Sequence, residues 1–192
     1  MSTKMKYISF AIAAFLAFSQ PAYADQINAD RPGPGSGPET AEPGSVQIEA
    51  GNDSKNIRIG VAKDFEINKD LDSVGAKYKF FTDKKFEAAI KISYQNDSTF
   101  IIEIPTQYII SKKINLSTDV ILDKDSKTYV GSVNVTPVSN LTVSNSFYYD
   151  DKARYGIFLA WAPTDHPNLQ FDVGLDRGRI KFGVSWGIKF HR

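Results

Sequence analysis

Charged and amide side chains recur at every second position over much of this chain, a spacing that could line one wall of a passage for solutes. A period of two places successive side chains on opposite faces of a β-strand. Such a face can form ion pairs and bind a polar solute. The positions that we predict to line a pore are Glu49, Arg58, Glu66, Lys77, Lys79, Glu87, Lys91, Glu103, Gln107, Asp119, Asp172, Asp176, Lys181 and Lys189.

Residues suited to catalysis or metal binding are scarce. The sequence has two histidines and no cysteine. A hydrolase needs a nucleophile with a base within reach, but His166 falls in a predicted turn and His191 lies beside the C-terminus. The acidic loops at Asp53, Asp97 and Asp123 lack the ligand spacing of a calcium loop. We therefore predict no enzyme activity, no cofactor and no metal site.

Strands must position the polar side chains, and the alternation predicts twelve of them after residue 45. In the last, residues 179–190, every even-numbered residue is apolar, and the odd ones are arginine, lysine, glycine or serine. About eleven residues is the length that a tilted strand needs to cross a bilayer. The count falls to eleven if residues 57–67 form one strand, and to ten if another pair merges. Pro105 has no amide donor, so we expect a bulge or break there.

The N-terminal residues predict export. Residues 1–24 combine two lysines, a short apolar run and the small-residue site Ala22-Tyr23-Ala24, which are the features of a secretory signal peptide. Residues 25–45 are rich in proline and glycine and predict an extended leader; a disordered tail is the alternative. The barrel domain is then 46–192. A net charge of +1 gives no argument for a nucleic-acid partner.

Aromatic residues favour a membrane barrel over a soluble β-sandwich. They fall near both ends of the predicted strands, with aliphatic residues between them, as in the aromatic belts of outer-membrane barrels. A sandwich core has no reason for this distribution. We therefore predict an all-β, closed antiparallel transmembrane β-barrel in the cell outer membrane. An even strand count would place both termini in the periplasm.

Opposite charges on neighbouring strands predict ion pairs across the polar face. In a narrow lumen these charges lose much of their water, so pairing matters more. A solvated sheet face with incidental pairing is the alternative. The expected pairs are Glu49 with Arg58, Arg58 with Glu66, Glu66 with Lys77 or Lys79, and Lys91 with Glu87 and Glu103; closure would place Lys181 and Lys189 between Asp172 or Asp176 and Glu49.

Residues 30–51 resemble the start of the outer-membrane family catalogued as transporters of the meta-pathway of phenol degradation. That family opens with an Asp-Arg-Pro element and leads into its first strand with a Gln-[Leu/Ile]-Glu. The resemblance implies an outer-membrane transporter barrel. The matching residues are Asp30-Arg31-Pro32, Pro38-Glu39-Thr40, Pro43-Gly44 and Gln47-Ile48-Glu49.

Two functions stay open at this point. One is a narrow passive channel for small solutes. Side chains fill the interior of an eight-stranded barrel, whereas a barrel of sixteen strands encloses an aqueous pore, and twelve strands lie between these sizes. The leader, with Arg31, would enter its periplasmic mouth as a plug. The other is a non-conducting structural or surface-interaction barrel. The expected partners are outer-membrane lipid and lipopolysaccharide, the barrel assembly machinery and a small-molecule solute.

Overall fold

Twelve strands form a closed antiparallel barrel in the computed structural model, which describes residues 21–23, 37–52, 55–166, 168–176 and 178–190. Each strand pairs with its neighbour in the chain, and the last pairs with the first. The predicted fold class and the count of twelve are confirmed. The strands are β1 Ser45–Gly51, β2 Lys55–Ala62, β3 Phe65–Asp70, β4 Ser73–Thr82, β5 Phe86–Gln95, β6 Phe100–Ser111, β7 Ile114–Leu122, β8 Lys127–Val138, β9 Leu141–Tyr149, β10 Ala153–Trp161, β11 Leu169–Asp176 and β12 Arg179–Phe190.

The barrel has two unlike ends. The start of β1 and the end of β12 lie at one end, together with the five turns that follow the even-numbered strands β2 to β10. The six connections that follow the odd-numbered strands lie at the other end. A further three-residue strand, Pro21–Tyr23, pairs with the last residues of β12. The described residues contain no helix that could span a membrane.

Apolar side chains cover the outside of the barrel and polar ones fill its inside. In β10, Tyr155, Ile157 and Leu159 are exposed, whereas Gly156 and Phe158 between them are buried. Among the described residues, fifteen buried side chains are polar or charged and eight are apolar, the buried prolines Pro38 and Pro105 aside. A soluble protein shows the opposite arrangement and does not expose an apolar surface of this size. The closed sheet also leaves no second layer for a sandwich.

Aromatic rings pair across neighbouring strands at both ends of the outer surface. Near the six connections, the ring centroids of Tyr94 and Phe100 lie 5.0 Å apart. Near the five turns, those of Trp161 and Phe171 lie 5.7 Å apart in a stacked arrangement. Such pairs contribute about 0.5–1.5 kcal/mol beyond the burial of their surface, and they form belts at the two ends of an aliphatic band.

The expected bulge at Pro105 is absent, and the expected break is confined to the pairing with β5. Strand β6 runs through this residue, and Pro105 keeps its register opposite Asp119 of β7. Proline cannot donate to a ladder; on the β5 side, residues 104 and 105 have no ladder partner, but the register is the same before and after them. The observed register shifts instead lie next to four of the five turns.

The turn between β4 and β5 predicts a pH-dependent contribution to stability. Its Asp83 carboxylate accepts hydrogen bonds from the amides of Lys85, at 2.6 Å, and Phe86, at 2.8 Å. These bonds hold the pKa of Asp83 below its ordinary value of 3.8. Because the folded pKa is lowered, the stabilisation is complete above about pH 3.8 and is lost as the pH falls through the lowered pKa. NMR titration should give a lower pKa for Asp83 in the folded than in the urea-unfolded chain; equal values would contradict this.

Candidate functional site: the inner charge cluster

Four charged side chains meet inside the barrel on adjacent strands, one each from β1 to β4. We call Glu49, Arg58, Glu66 and Lys77 the inner charge cluster. Arg58 lies 3.3 Å from a Glu49 oxygen and 2.8 Å from a Glu66 oxygen, and the Lys77 ammonium lies 3.4 Å from Glu66. All four side chains are at most 1% exposed. Two acids and two bases thus neutralise one another in a space without bulk water.

The strand register explains why Arg58 holds both carboxylates. Arg58 is directly opposite Gln47, which accepts a hydrogen bond from it at 3.2 Å, so Glu49 is reached on the diagonal. On the other side Nε and Nη2 both point at Glu66. The planar guanidinium offers five donors in a fixed fork, which suits two carboxylates better than an ammonium would. The predicted pairs of Arg58 with Glu49 and Glu66 are present, as is that of Glu66 with Lys77.

The residues before β1 fold back into the barrel instead of leaving it. We call residues 37–44 the leader segment. Its direction reverses at Glu42-Pro43-Gly44-Ser45, where the Ser45 amide donates to the Glu42 carbonyl at 3.0 Å and Gly44 has φ of 75°. Proline in the second position and a glycine with positive φ in the third fit a type II turn. The segment therefore runs alongside β2 on its inner face.

The leader segment is bound to the inner charge cluster through its backbone. The Ala41 amide donates to Glu66 at 2.7 Å, Arg58 donates to the Glu39 carbonyl at 2.9 Å, and Lys77 donates to the Gly37 carbonyl at 3.2 Å. The side chains of Thr40 and Ala41 are buried. The cluster thus supplies donors and an acceptor that match an extended peptide.

A glycine in β2 makes room for this peptide. A Cβ added to Gly60 would lie 1.8 Å from the Glu42 carbonyl oxygen, so no side chain fits there. The Gly44 amide donates to the Gly60 carbonyl at 2.9 Å, and the Phe190 amide donates to the Gly44 carbonyl at 2.8 Å. These two bonds attach the base of the leader segment to β2 and β12.

A second group of predicted residues forms ion pairs on the inner faces of β4 to β6. Lys91 and Glu103 are 2.8 Å apart, as predicted. Lys79 lies 3.9 Å from Glu87 and also 3.9 Å from Asp64 in the adjacent turn. Unlike the inner charge cluster, the members of these pairs are partly exposed. Gln107 lies in register with Glu87 and is half-buried.

The remaining predicted residues occupy the inner faces of β7, β11 and β12. Asp119 and Asp172 are buried, and Asp172 accepts a hydrogen bond from Gln170 at 2.8 Å. Asp176 and Lys181 are half-buried. The structure pairs Lys189 with Glu42 of the leader segment at 2.9 Å, an interaction not predicted because the course of the leader was unknown. Arg31, the predicted plug residue, lies outside the described residues.

All fourteen predicted positions therefore lie on the inner face, and their role in lining a conducting pore stays a prediction. Two inward aromatic residues, Tyr148 and Phe158, are almost fully buried and were not among the predicted lining residues. A Cβ on Gly174 would lie 2.2 Å from the Phe158 ring, which shows that the ring lies against that glycine. Phe158 and Gly174 face each other on neighbouring strands, so an inward aromatic residue opposite a glycine is the sequence feature that could have predicted this packing. No group of acids and histidines able to hold a metal occurs among the described residues.

Comparison with known proteins identifies the fold. No protein-family model matches the sequence, and no curated protein matches it significantly. A structure of the KdgM porin is similar over 77% of this chain and 99% of its own, with a TM-score of 0.54 and 12% identity. The KdgM porin in complex with disordered oligogalacturonate gives the same TM-score and identity over 77% of this chain and 98% of its own. The resemblance to phenol-pathway transporters stays a prediction, and the chain is a closed twelve-stranded antiparallel barrel with a porin fold.

Proposed function

We propose that this chain is an outer-membrane barrel that acts as a narrow passive channel for small polar solutes. The observation that carries the proposal is the closed barrel whose outer face is apolar and whose inner face is charged. An apolar band between aromatic belts suits lipid, and a polar interior suits water and solutes. The likeness to a porin fold supports the same function.

The channel would be narrow. Twelve strands spaced about 4.8 Å apart and tilted by about 40° enclose a cylinder about 24 Å across, measured between opposite backbones. The lining side chains and the leader segment occupy part of this width. Such a lumen would admit single small molecules or an extended chain.

Balanced charge on the inner face favours neutral or zwitterionic solutes. The fourteen predicted lining residues comprise seven carboxylates, six cations and one amide. Six of these charged residues lie within 3.4 Å of an opposite charge on a neighbouring strand of β1 to β6, namely Glu49, Arg58, Glu66, Lys77, Lys91 and Glu103. The KdgM porin has been seen with oligogalacturonate, an acidic oligosaccharide, whereas the cations among these fourteen residues do not outnumber the carboxylates.

Location and partners belong to the same proposal. Residues 1–24 would be removed on export, and both termini and the five turns would face the periplasm. The assembly machinery would insert the barrel, and the six connections would lie among lipopolysaccharide. Short connections between the strands support a channel over an adhesin.

Planar-bilayer recording tests the channel. Refolded mature protein should give small, steady currents with weak selectivity in a KCl gradient. Lys91→Glu removes one cation and adds a carboxylate beside Glu103, so the reversal potential should move towards that of a cation-selective pore. Lys124→Glu, in an exposed connection, makes the same change of net charge and should leave selectivity unaltered.

The alternative is a barrel that does not conduct. The complete burial of the inner charge cluster and of part of the leader segment is the observation that favours it. Folded protein, judged by heat-modifiable gel mobility, that gives no current in any recording would support this alternative and refute the channel.

A further inference from the structure

We infer that the inner charge cluster is a binding site for an extended peptide, and that the leader segment is its tethered occupant, a plug that narrows the lumen. The inference goes beyond the proposed function and depends on it only for the conductance measurement. The plug would be released by swinging about the Pro43-Gly44 turn, leaving the barrel wall intact.

The leader segment is held as a ligand is held, not as a strand is. Above the turn at residues 42–45, residues 37–41 belong to no strand, and three hydrogen bonds join their backbone to the side chains of Glu66, Arg58 and Lys77. Ladder-type contacts occur only at its base, through Gly44. Side chains of the wall therefore hold the segment, and its release breaks no strand pairing.

The inner charge cluster can persist without its occupant. Arg58 lies within 3.3 Å of Glu49 and Glu66, and Lys77 lies 3.4 Å from Glu66; these ion pairs join wall residues and do not pass through the peptide. The net charge of the cluster is zero, so water entering the vacated lumen would meet paired charges. A site that is complete in itself and also binds peptide backbone is consistent with reversible occupation.

Complementary shape and charge fix the position of the occupant. Because Gly60 has no side chain, the Glu42 carbonyl occupies the space that a Cβ at position 60 would fill. Lys189 binds the Glu42 side chain at 2.9 Å, which adds an ion pair at the base of the segment. An acidic peptide with a proline–glycine turn thus fits better than a basic one.

Removal of the plug should raise the conductance measurably. An extended peptide, about 5 Å by 10 Å in cross-section, fills about a third of a lumen that side chains leave about 14 Å wide, so conductance should rise by about half without it. Two variants provide the test: deletion of residues 25–42, and Gly60→Val, which displaces the Glu42 carbonyl. Gly131→Val is the matched control, since a Cβ there meets nothing within 4 Å.

The single-channel conductance of both plug variants should exceed that of the mature protein and of Gly131→Val. The synthetic peptide GPETAEPG, the sequence of residues 37–44, should then lower the conductance of the deletion variant towards the original value. Unchanged conductance in a folded deletion variant would overturn the inference while leaving the channel itself established.

Thiol labelling tests the plug independently of any current, because the chain has no native cysteine. Thr40→Cys replaces a side chain that is 9% exposed and should react slowly with a water-soluble maleimide, but quickly once Gly60→Val is added. Ser126→Cys, in an exposed connection, should react quickly in both backgrounds. If Thr40→Cys reacts as fast as Ser126→Cys, the leader segment is not seated and the inference is wrong. If no variant conducts but labelling behaves as expected, the plug stands and the channel fails.

Discussion

Arg58→Ala is expected to lower the free energy of unfolding by about 3–5 kcal/mol, because it leaves buried carboxylates without their cation. Arg58 is fully buried and binds Glu49 at 3.3 Å and Glu66 at 2.8 Å. Glu66 would keep Lys77 and the Ala41 amide. Glu49 would keep the 3.4 Å hydrogen bond from Asn56 but would lose the guanidinium that lies beside its carboxylate.

Urea unfolding in lipid vesicles measures this loss. Both tryptophans, Trp161 and Trp186, lie on the lipid-facing surface, so their fluorescence reports the loss of the barrel. Arg154→Ala is the matched control: Arg154 binds Asp150 at 2.8 Å, but both side chains are about a quarter exposed. An exposed ion pair contributes at most about 1 kcal/mol. Equal losses for the two variants would contradict the buried cluster.

A second substitution separates charge from packing. The double variant Arg58→Ala/Glu49→Gln also replaces the Glu49 carboxylate with a neutral amide, so part of the lost stability should return. A neutral amide is far cheaper to bury than a lone carboxylate. If the double variant is no more stable than Arg58→Ala, the cost lies in the cavity that the arginine leaves.

The strand pattern could be predicted because one physical rule governs the whole wall. Lipid outside and polar groups inside force alternation at every strand, so parity alone places Glu66 and Lys77 inside and Ile67 and Tyr78 outside. The order of the strands also brings together the opposite charges that were predicted to pair at Arg58, at Lys77 with Glu66 and at Lys91 with Glu103. The alternation of apolar and polar residues within each strand was enough to predict which side chains face inwards.

The course of the leader segment could not be predicted by the same rule. Its contacts join residues 37–42 to side chains on β2, β3 and β4, and they depend on the gap at Gly60 and on the diagonal reach of Arg58. The Pro43-Gly44 turn could be recognised from sequence, but not the direction in which it sends the chain. The contact of Lys189 with Glu42 could not be predicted for this reason, because Glu42 belongs to the segment whose position was unknown.

Pro105 shows a different limit of local rules. A missing amide usually argues against a place inside a sheet, yet here register is maintained by the residues on both sides of it and by the partner strand β7. In a closed barrel every strand pairs with two neighbours. When the pairing with β5 is interrupted at residues 104 and 105, the continuous pairing with β7 therefore still prevents a bulge. Tertiary closure overrides the local preference.

Val133→Lys should lower the free energy of unfolding by about 2–4 kcal/mol, because it places a cation in the hydrocarbon at the middle of a strand. Val133 lies near the centre of β8 and its side chain is 44% exposed on the outer face. The preceding residue, Ser132, points inwards and is half-buried. Ser132→Lys places the same charge in the polar lumen and should cost much less. The same urea titration measures both, and similar losses at the two neighbouring positions would mean that the exposed face does not contact lipid, which would remove the basis for the membrane channel.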